Sequence, residues 1–307
     1  MEKQYTGRFA PSPSGYMHMG NLLAMLLAWL DSRAHEGRII FRMEDLDPAR
    51  SKVEYAQALA EDLRWLGLDW DEGYPDPIYC QSNRTAIYDD AFHTLEAMGL
   101  VYPCWCTRAQ RLAASAPHPG EAVSDSGCRC ARLTAHERLA LEASGRRPCW
   151  KVRVPDETIV IQDGHYGSYA QNLAREGGDF ILRRADGTYA YQLAVSVDDM
   201  LMGVTRVVRG RDLLSSAPRQ SWLIRTLGGT PPEYCHSPLL TAGDGKLSKR
   251  LGSLSTQVLR TTHTPQALVG QIAHLAGLLP APEPVTPREL LSVFFWDKVP
   301  RLDIPIE

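Results

Sequence analysis

Apolar positions at two different spacings divide the first hundred residues into strands and helices. Short apolar runs at Tyr5–Ala10 and Arg38–Met43 predict strands. The segments that follow them, Asn21–Ala34 and Val53–Leu66, carry apolar residues at helical spacing, and Arg84–Met98 shows the same spacing. Alternation of strands with helices of about 15 residues is typical of a parallel sheet wound by helices, so we predict an α/β fold.

The alternation lapses over residues 102–153, which are rich in Cys, Pro, Ala and Arg, and it resumes further along the chain. Strands are predicted at Thr158–Gln162, Phe180–Arg184, Tyr189–Val195, Thr205–Arg209 and Tyr234–Leu240. Helices are predicted at Asp212–Leu227, Pro265–Leu279 and Pro287–Phe295, with a loop that contains Gly and Lys over Gly243–Gly252.

This pattern divides the chain into four parts. We expect the first half of a sheet domain over residues 1–100 and an inserted module over 101–190. The second half of the sheet domain should occupy residues 191–255, followed by a short helical extension over 256–307. The two tail helices are too short to form a large domain of their own.

The composition is that of a compact globular protein. Hydrophobic residues make up 44% of the 307 positions and charged residues 22%, which is enough to bury a sizeable core. The longest apolar run, Leu22–Leu30, is shorter than the ~18 residues of a membrane helix, so we expect no membrane span. This run imitates the middle of a secretory signal, but it follows a Pro- and Gly-rich segment and continues into charged residues.

Charge is distributed unevenly along the chain. The net charge of −3 gives no sign of nucleic-acid binding by itself. Residues 101–153 carry 9 basic and 4 acidic side chains, residues 206–260 carry 9 and 3, and residues 44–90 carry 4 and 12. The two basic stretches suit contact with phosphate, although runs of charge are more often solvated faces.

Four of the seven cysteines form two C-x-C pairs separated by 21 residues. The pairs are Cys104 with Cys106 and Cys128 with Cys130. Four thiolates can enclose a tetrahedral zinc ion and leave no position for water, so we predict one structural zinc per chain. The alternative is four unrelated buried cysteines. An odd number of cysteines with this spacing suits a reduced compartment, and we expect a cytoplasmic protein.

The loop Gly7–Gly20 joins a predicted strand to a predicted helix and contains Pro11, Pro13 and Gly15. Such a loop lets a nucleotide approach backbone N–H groups at the positive end of a helix, with His18 and Asn21 as side-chain donors to phosphate. By itself, this segment is better explained as an ordinary helix-entry loop.

A second segment, Lys246-Leu247-Ser248-Lys249-Arg250, lies between Gly245 and Gly252. Two lysines on a glycine-flanked loop can stabilise the negative charge that develops on transferring phosphoryl oxygens. The alternative is a solvated basic turn.

Together the two segments resemble the HIGH and KMSKS signature motifs of class I aminoacyl-tRNA synthetases, in the same order. Over residues 5–255 the chain is similar to the catalytic half of glutamyl-tRNA synthetases. The similarity is carried by Gly7–Gly15, Arg42–Asp47, Leu66–Trp70, Gln81-Ser82, Tyr191–Ala194, Asp198-Asp199 and Val208–Leu213. It implies a Rossmann-like catalytic domain with a zinc-bearing insertion, and it implies ATP with Mg²⁺, L-glutamate and tRNA as partners. Zinc sites of this family often include a His or Tyr, so the identity of the fourth ligand, Cys130 or another residue, stays open.

By motif position, the resemblance implies roles for individual residues. The residues implied to bind glutamate are Arg8, Ser12, Glu44, Tyr191 and Arg209. The residues implied to bind ATP are His18, Gly20, Asn21, Lys246, Ser248 and Lys249. The residues implied to act in catalysis are Lys249, Lys246 and His18. The charges suit glutamate, because Arg209 can bind a carboxylate through two N–H groups, Arg8 adds a second positive charge, and Glu44 can accept from an ammonium. The alternative is a set of structural ion pairs.

The chain departs from the family pattern at two positions. Asn21 stands where the family has a second His, and Arg250 stands where it has Ser. Asn21 can still donate a hydrogen bond to phosphate but carries no charge, which leaves an impaired site as the alternative.

After the lysine segment only the tail Leu254–Glu307 follows, whereas glutamyl-tRNA synthetases continue into a helical half that reads the anticodon. The chain therefore resembles the truncated paralogues of that family, which transfer glutamate to queuosine at the wobble position of tRNA(Asp). We expect this activity, no anticodon-binding domain and a monomer. The alternatives are a conventional synthetase that charges the tRNA 3′ end and a non-catalytic tRNA-binding relative.

Overall fold

The computed structural model describes residues 4–107, 128–242 and 255–306. The first segment contains β1 (Thr6–Phe9), α1 (Met19–Ala34), β2 (Arg38–Phe41), α2 (Val53–Trp65), β3 (Glu72–Gly73), α3 (Thr85–Ala97) and β4 (Val101–Cys104). The second contains α4 (Ala135–Ala143), β5 (Cys149–Val152), β6 (Thr158–Asp163), β7 (Gly167–Asn172), β8 (Phe180–Arg183), α5 (Tyr191–Leu201), β9 (Arg206–Gly210), α6 (Ala217–Thr226), β10 (Glu233–Ser237) and β11 (Leu240–Ala242). The third contains α7 (Thr256–Thr262), α8 (Pro265–Leu275), α9 (Pro287–Leu290) and β12 (Ile304–Ile306).

Parallel strands from both halves of the chain lie side by side. Strand β2 pairs in parallel with β1 and β3, and β10 pairs in parallel with β9 and β6. The two groups meet at β1 and β9, where the Thr205 N–H donates to the Thr6 carbonyl over 2.9 Å. Further along, Arg8 Nη1 donates to the Val208 carbonyl over 3.0 Å. The contacts advance in the same direction on both strands, so the strand ends of β1, β2 and β9 lie at one edge, where open α/β sheets bind ligands.

Helix α1 packs its apolar face against this sheet. Leu22, Leu26, Leu27 and Leu30 are all buried, in a core that also includes residues of β1, β2 and α8. A second core gathers α3, α5 and α6 with β6 and β10. Cores on both sides of the sheet explain why even the short strands are largely buried, as in β1 and β2.

Most predicted elements are observed within a few residues of their predicted bounds, but the strand predicted over Tyr189–Val195 is wrong. Residues 191–201 form the helix α5 instead. Apolar residues at alternate positions suggested a strand, but all residues from Leu193 to Asp199 are buried, so the helix is covered on every side and its sequence lacks a helical period. The predicted helix over Pro287–Phe295 is also shorter than expected, because α9 ends at Leu290.

The inserted segment contains its own antiparallel sheet, in which β5 lies between β4 and β8. A small core of Tyr102, Trp105 and cysteine side chains packs beneath it. The C-terminal segment returns to the sheet domain, where β12 pairs with β11 and Asp303 accepts two hydrogen bonds from Arg211. Among the described residues, no helix has both the length and the apolar character needed to cross a membrane.

Candidate active site and metal centre

A cavity of about 540 Å³ opens at the sheet edge where β1, β2 and β9 end. Seven residues with predicted roles line it together: Arg8, Ser12, His18, Asn21, Glu44, Tyr191 and Arg209. They come from segments up to 201 positions apart in the sequence, from Arg8 to Arg209, and the fold brings them to one place. Gly20 does not line the cavity, and Lys246, Ser248 and Lys249 lie outside the described residues.

The N-terminus of α1 is capped by a reciprocal pair of hydrogen bonds. His18 Nδ1 accepts from the Gly20 N–H over 3.1 Å, and Asn21 Oδ1 accepts from the His18 N–H over 3.1 Å. Because Nδ1 accepts, the neutral His18 ring carries its proton on Nε2. Burial lowers the pKa of His18, which favours this neutral form. The Gly20 N–H, proposed from sequence as a phosphate donor, is thus engaged by His18 in this structure.

The chain that follows the lysine segment returns to this helix end. Ser255 forms a β-bridge with His18, and the Thr256 N–H donates to the Met17 carbonyl over 2.8 Å. The chain just after the lysine segment therefore lies beside the helix end that presents His18, while the lysine segment itself lies outside the described residues.

Arg8 and Glu44 lie at the inner end of the cavity in a group of buried charges. Arg8 Nε is 3.8 Å from Asp199 Oδ1, and Glu44 Oε1 accepts from Arg42 Nη2 over 3.0 Å. Burial lowers the pKa of Arg8 and raises the pKa of Glu44, since both charges are removed from water. A ligand with opposite charges at matching positions would relieve both effects.

Arg42 lies behind Glu44 and is fully buried. Its Nη1 donates to Asp199 Oδ1 over 2.7 Å, and its Nε lies 3.7 Å from Asp198 Oδ2. Burial opposes its charge, but Asp199, Glu44 and Asp198 outweigh burial and raise the pKa of Arg42. Asp198 also accepts hydrogen bonds from Gln81, Arg84 and Tyr88. This network fixes the floor of the cavity across α5, β2 and α3.

Arg209 also lines the cavity and is 5% exposed. Its Nε donates to His236 Nε2 over 3.1 Å, its Nη1 to Gln220 Oε1 over 2.8 Å, and its Nη2 to the Leu213 carbonyl over 3.1 Å. Tyr191, the first residue of α5, lines the cavity beside it, and burial raises the pKa of Tyr191. The positive and negative side chains that line the cavity thus suit a small dipolar ligand.

The four cysteines of the two C-x-C pairs converge in the inserted module. The Sγ–Sγ distances are 3.3 Å for Cys104–Cys128, 3.5 Å for Cys106–Cys128 and 3.6 Å for Cys106–Cys130. All four sulfurs lie within 4.8 Å of one another. Sulfurs bound to one zinc at about 2.3 Å in a tetrahedron are about 3.8 Å apart, so the cluster could hold such a metal ion. The four cysteines of the two C-x-C pairs therefore fit the zinc ion that the family resemblance implies.

The basic residues of the two stretches differ in exposure. In residues 206–260, Arg209 is buried and Arg206 is partly buried and paired with Asp31, whereas Arg211, Arg225 and Arg260 are exposed. In the inserted module Lys151 is buried, but six arginines are exposed: Arg129, Arg132, Arg138, Arg146, Arg147 and Arg153. Among the described residues, both stretches therefore present basic side chains at the surface, and more of these lie in the inserted module.

Residues 4–285 match the family model for the catalytic domain of class I tRNA synthetases (E and Q). The chain belongs to this synthetase family. The match confirms the predicted Rossmann-like catalytic fold.

The synthetase is 49% identical to the glutamyl-Q tRNA(Asp) synthetase of Symbiobacterium thermophilum, over 98% of this chain and 95% of that one. It is 46% identical to the enzyme of the same name from Nitratidesulfovibrio vulgaris, over 96% and 93%. A glutamate–tRNA ligase 2 from Alkalilimnicola ehrlichii is 45% identical over 87% of this chain and 58% of that one. The predicted resemblance to glutamyl-queuosine synthetases is therefore confirmed.

Among solved structures, a glutamate tRNA ligase from Elizabethkingia meningosepticum, in complex with its amino acid, superposes with a TM-score of 0.82 at 26% identity. That alignment covers 100% of this synthetase and 67% of the ligase. The glutamate–tRNA synthetase of Elizabethkingia anophelis gives the same TM-score at 25% identity.

Sequence reasoning about the synthetase missed the residues that support the cavity. Arg42, Asp198 and Asp199 were recognised only as parts of motifs, without a role. A charged residue at the end of the apolar run Ile39-Ile40-Phe41 is a signal for a buried ion pair that could have identified Arg42. His236 and Gln220 gave no such signal, since both occur in ordinary strand and helix patterns.

Proposed function

We propose that this synthetase activates L-glutamate with ATP and transfers the glutamyl group to queuosine at the wobble position of tRNA(Asp). The observation that carries the proposal is the placement of Arg8, Glu44 and Arg209 in one cavity, beside the helix end that presents His18. The names of the relatives from Symbiobacterium thermophilum and Nitratidesulfovibrio vulgaris support it. We further propose that it acts as a monomer in the cytoplasm.

The charges of the cavity match the three charged groups of glutamate. Three of the five N–H groups of Arg209 have partners among the described residues, which leaves one on each terminal nitrogen for the side-chain carboxylate. Glu44 Oε1 is bound to Arg42, so its other oxygen can accept from the ammonium. Arg8, Ser12 and Tyr191 complete the lining, and Arg8 can balance the remaining carboxylate.

In the activation step, an oxygen of the glutamate α-carboxylate attacks the α-phosphorus of ATP, and pyrophosphate leaves. Catalysis of such a transfer is mainly positioning and stabilisation of charge on the phosphoryl oxygens. His18 can donate from Nε2 to one of these oxygens, and Lys246 and Lys249 would supply positive charge. Mg²⁺ would accompany the ATP and neutralise its phosphate charge. The Asn21 Nδ2–H₂ group can donate to a phosphate oxygen, since Asn21 uses its Oδ1 to cap the helix.

In the transfer step, a hydroxyl of the queuosine cyclopentene ring attacks the carbonyl of the glutamyl adenylate. The ester forms, AMP leaves, and the hydroxyl proton passes to the leaving phosphate or to solvent. The exposed arginines of the inserted module support a contact with RNA phosphates near the cavity. Zinc bound by Cys104, Cys106, Cys128 and Cys130 would stabilise that module without taking part in either step.

A single assay tests the function. The protein is incubated with ATP, radiolabelled glutamate and tRNA from cells that can or cannot make queuosine. Label should enter only the queuosine-containing tRNA, and the same preparation should exchange pyrophosphate with ATP when glutamate is present and no tRNA is added. Entry of label into queuosine-free tRNA at its 3′ end would reject the proposal.

Such an outcome would favour the second candidate, a conventional glutamate–tRNA ligase. Its support is the 45% identity to the Alkalilimnicola ehrlichii ligase. Periodate oxidation of the 3′ ribose, under conditions that spare the queuosine diol, separates the two because it removes the 3′ acceptor alone. A control in which the queuosine diol is also oxidised should lose all labelling under our proposal.

A further inference from the structure

Arg209 is bonded on the side away from the cavity by side chains of two different elements. His236, on β10, accepts from its Nε, and Gln220, on α6, accepts from its Nη1. Gln220 in turn donates to Gln192 Oε1 over 2.8 Å, and Gln192 donates to Ser216 Oγ over 3.1 Å. The direction of the guanidinium plane is therefore set by its neighbours before any ligand arrives.

The contact with Arg209 fixes the proton on the His236 ring. Arginine can only donate, so His236 Nε2 must be the unprotonated nitrogen. The proton then lies on Nδ1, which is 2.6 Å from Asp163 Oδ2 and donates to it. This is the less common tautomer of a free imidazole, and the carboxylate of Asp163 selects it. An imidazole in the other tautomer would present N–H against N–H at Arg209.

Asp163 is itself held rigidly at the end of β6. Its Oδ1 accepts from the backbone N–H groups of His165 over 3.0 Å and Tyr166 over 2.9 Å. Its Oδ2 accepts from the His236 N–H over 3.1 Å. Both side chains of the Asp163–His236 pair are fully buried, so neither has water as an alternative partner.

We propose that Asp163 and His236 are positioning residues that orient Arg209 toward the side-chain carboxylate of glutamate and thereby set the preference for glutamate over glutamine. This inference rests on the proposed function of Arg209. The charged groups that face His236 are Asp163 on β6, Arg209 on β9 and Arg8 on β1, and the ring stacks on Tyr234 of its own strand. Burial lowers the pKa of His236, in agreement with a neutral ring.

Two substitutions at the same position separate the positioning role from a merely structural one. A glutamine side chain reaches as far as Nε2 and can present its oxygen to Arg209, whereas an asparagine reaches only as far as Nδ1 and can keep the contact with Asp163. His236→Gln should therefore stay close to wild type. His236→Asn should raise KM for glutamate at least about tenfold in pyrophosphate exchange, the loss expected for one charge-assisted hydrogen bond of about 1.5–3 kcal/mol.

The kinetic readouts distinguish the roles further. The preference for glutamate over glutamine should fall in His236→Asn while KM for ATP stays unchanged, because none of the proposed ATP contacts involves Arg209. If His236→Asn matched wild type and His236→Gln were the impaired variant, the ring would serve only to bond Asp163, and the inference would be wrong. If the wild-type protein exchanged no pyrophosphate with glutamate, the proposed function would fail instead.

The protonation of the His236 ring can also be measured directly on the wild-type protein. With ¹⁵N-labelled histidine, the two ring nitrogens of His236 can be distinguished as protonated or unprotonated by their chemical shifts, and the signal is assigned by its loss in His236→Gln. At pH 7 we expect a neutral ring with the proton on Nδ1. A proton on Nε2, or on both nitrogens, would overturn the inference whatever the enzyme activity.

Discussion

Three arginines around the cavity, Arg8, Arg42 and Arg209, are almost fully buried, yet they have different surroundings. Arg42 faces three carboxylates, which satisfy its charge within the protein. Arg209 has neutral partners only, namely a ring nitrogen, an amide oxygen and a carbonyl oxygen. A buried cation with neutral partners gains free energy when an anion binds, because the anion restores the balance of charge. This difference supports the proposed role of Arg209 in ligand binding and favours a structural role for Arg42.

Replacement of Arg209 by alanine tests this assignment. Arg209→Ala should abolish the preference for glutamate over glutamine, because the acidic side chain loses a fixed counter-charge while the neutral amide does not. The ratio of kcat/KM values for the two amino acids in pyrophosphate exchange is the measurement. Arg225→Ala is the matched control, since Arg225 is exposed at the end of α6 and does not line the cavity. A preserved preference would show that another residue binds the side-chain carboxylate.

The pH dependence of stability should report the buried His236. Its pKa in the folded protein is lowered, whereas in the unfolded chain it should be near the ordinary value of about 6.5. As pH falls below about 6.5, the unfolded state takes up a proton that the folded state does not, so the free energy of unfolding decreases. Urea unfolding between pH 7 and pH 5 should show a smaller decrease for His236→Gln than for wild type. Equal slopes for the two proteins would contradict a neutral buried ring.

The helices and strands differ in how far their sequences determine them. Helix α1 was predictable because its buried leucines repeat at helical spacing and His18 caps its start. Helix α5 was predicted as a strand, since its apolar residues alternate with other residues up to Val197. Its last turns bury Asp198 and Asp199, and this burial depends on Arg42 and Arg84 from other elements, which the local sequence does not show. The side chains that line the cavity were identified through motif resemblance. The bonds behind Arg209 were not, because they depend on how β6, β9, β10 and α6 pack together.

The inserted module is the element whose stability should depend most on a metal. Its core is small and consists largely of cysteine side chains and aromatic residues, so little apolar area is buried there. Burial raises the pKa of the Cys106 thiol, and a bound divalent cation would displace its proton. The module therefore suits a fold held partly by metal–sulfur bonds.

Metal analysis and substitution test this conclusion. The purified protein should contain about one zinc per chain, and Cys104→Ser should lose it and increase proteolytic cleavage between β4 and β8. Cys80→Ser is the matched control, because Cys80 is also buried but is not part of the cluster. Zinc retained in Cys104→Ser at the level of the control would show that these sulfurs are not the ligands.

At the scale of the whole molecule, the buried ion pairs join the two parts of the sheet domain across the insertion. Arg42 follows β2, and its partners Asp198 and Asp199 lie on α5, more than 150 positions along the chain. Removal of one partner from a buried network leaves the others without compensation, which is far more destabilising than loss of a surface pair. The positions of Glu44 and Tyr191 relative to each other therefore depend on this network.

Arg42 and Arg38, four positions apart, allow a buried ion-pair network to be compared with a partly solvated ion pair. Arg42→Met should reduce the free energy of unfolding by about 3–5 kcal/mol, because Asp198, Asp199 and Glu44 lose their shared cation. Arg38→Met, at the first residue of β2, should reduce it by less than about 1 kcal/mol, since the Arg38–Glu72 pair is partly solvated. Urea denaturation measures both. Similar losses in the two variants would mean that the buried network contributes no more than a surface pair.

The contact between Arg8 and the Val208 carbonyl, which are separated by 200 positions, has a consequence for how the chain folds. Contacts between residues so distant in sequence form slowly, because a long loop must close before they contribute any free energy. The helices can appear early, but the cavity exists only after β1 and β9 have come together. During refolding, helical circular dichroism should therefore recover before glutamate binding does. Recovery of glutamate binding would report the completed sheet, and glutamate itself would act as a ligand that favours the final, fully assembled state.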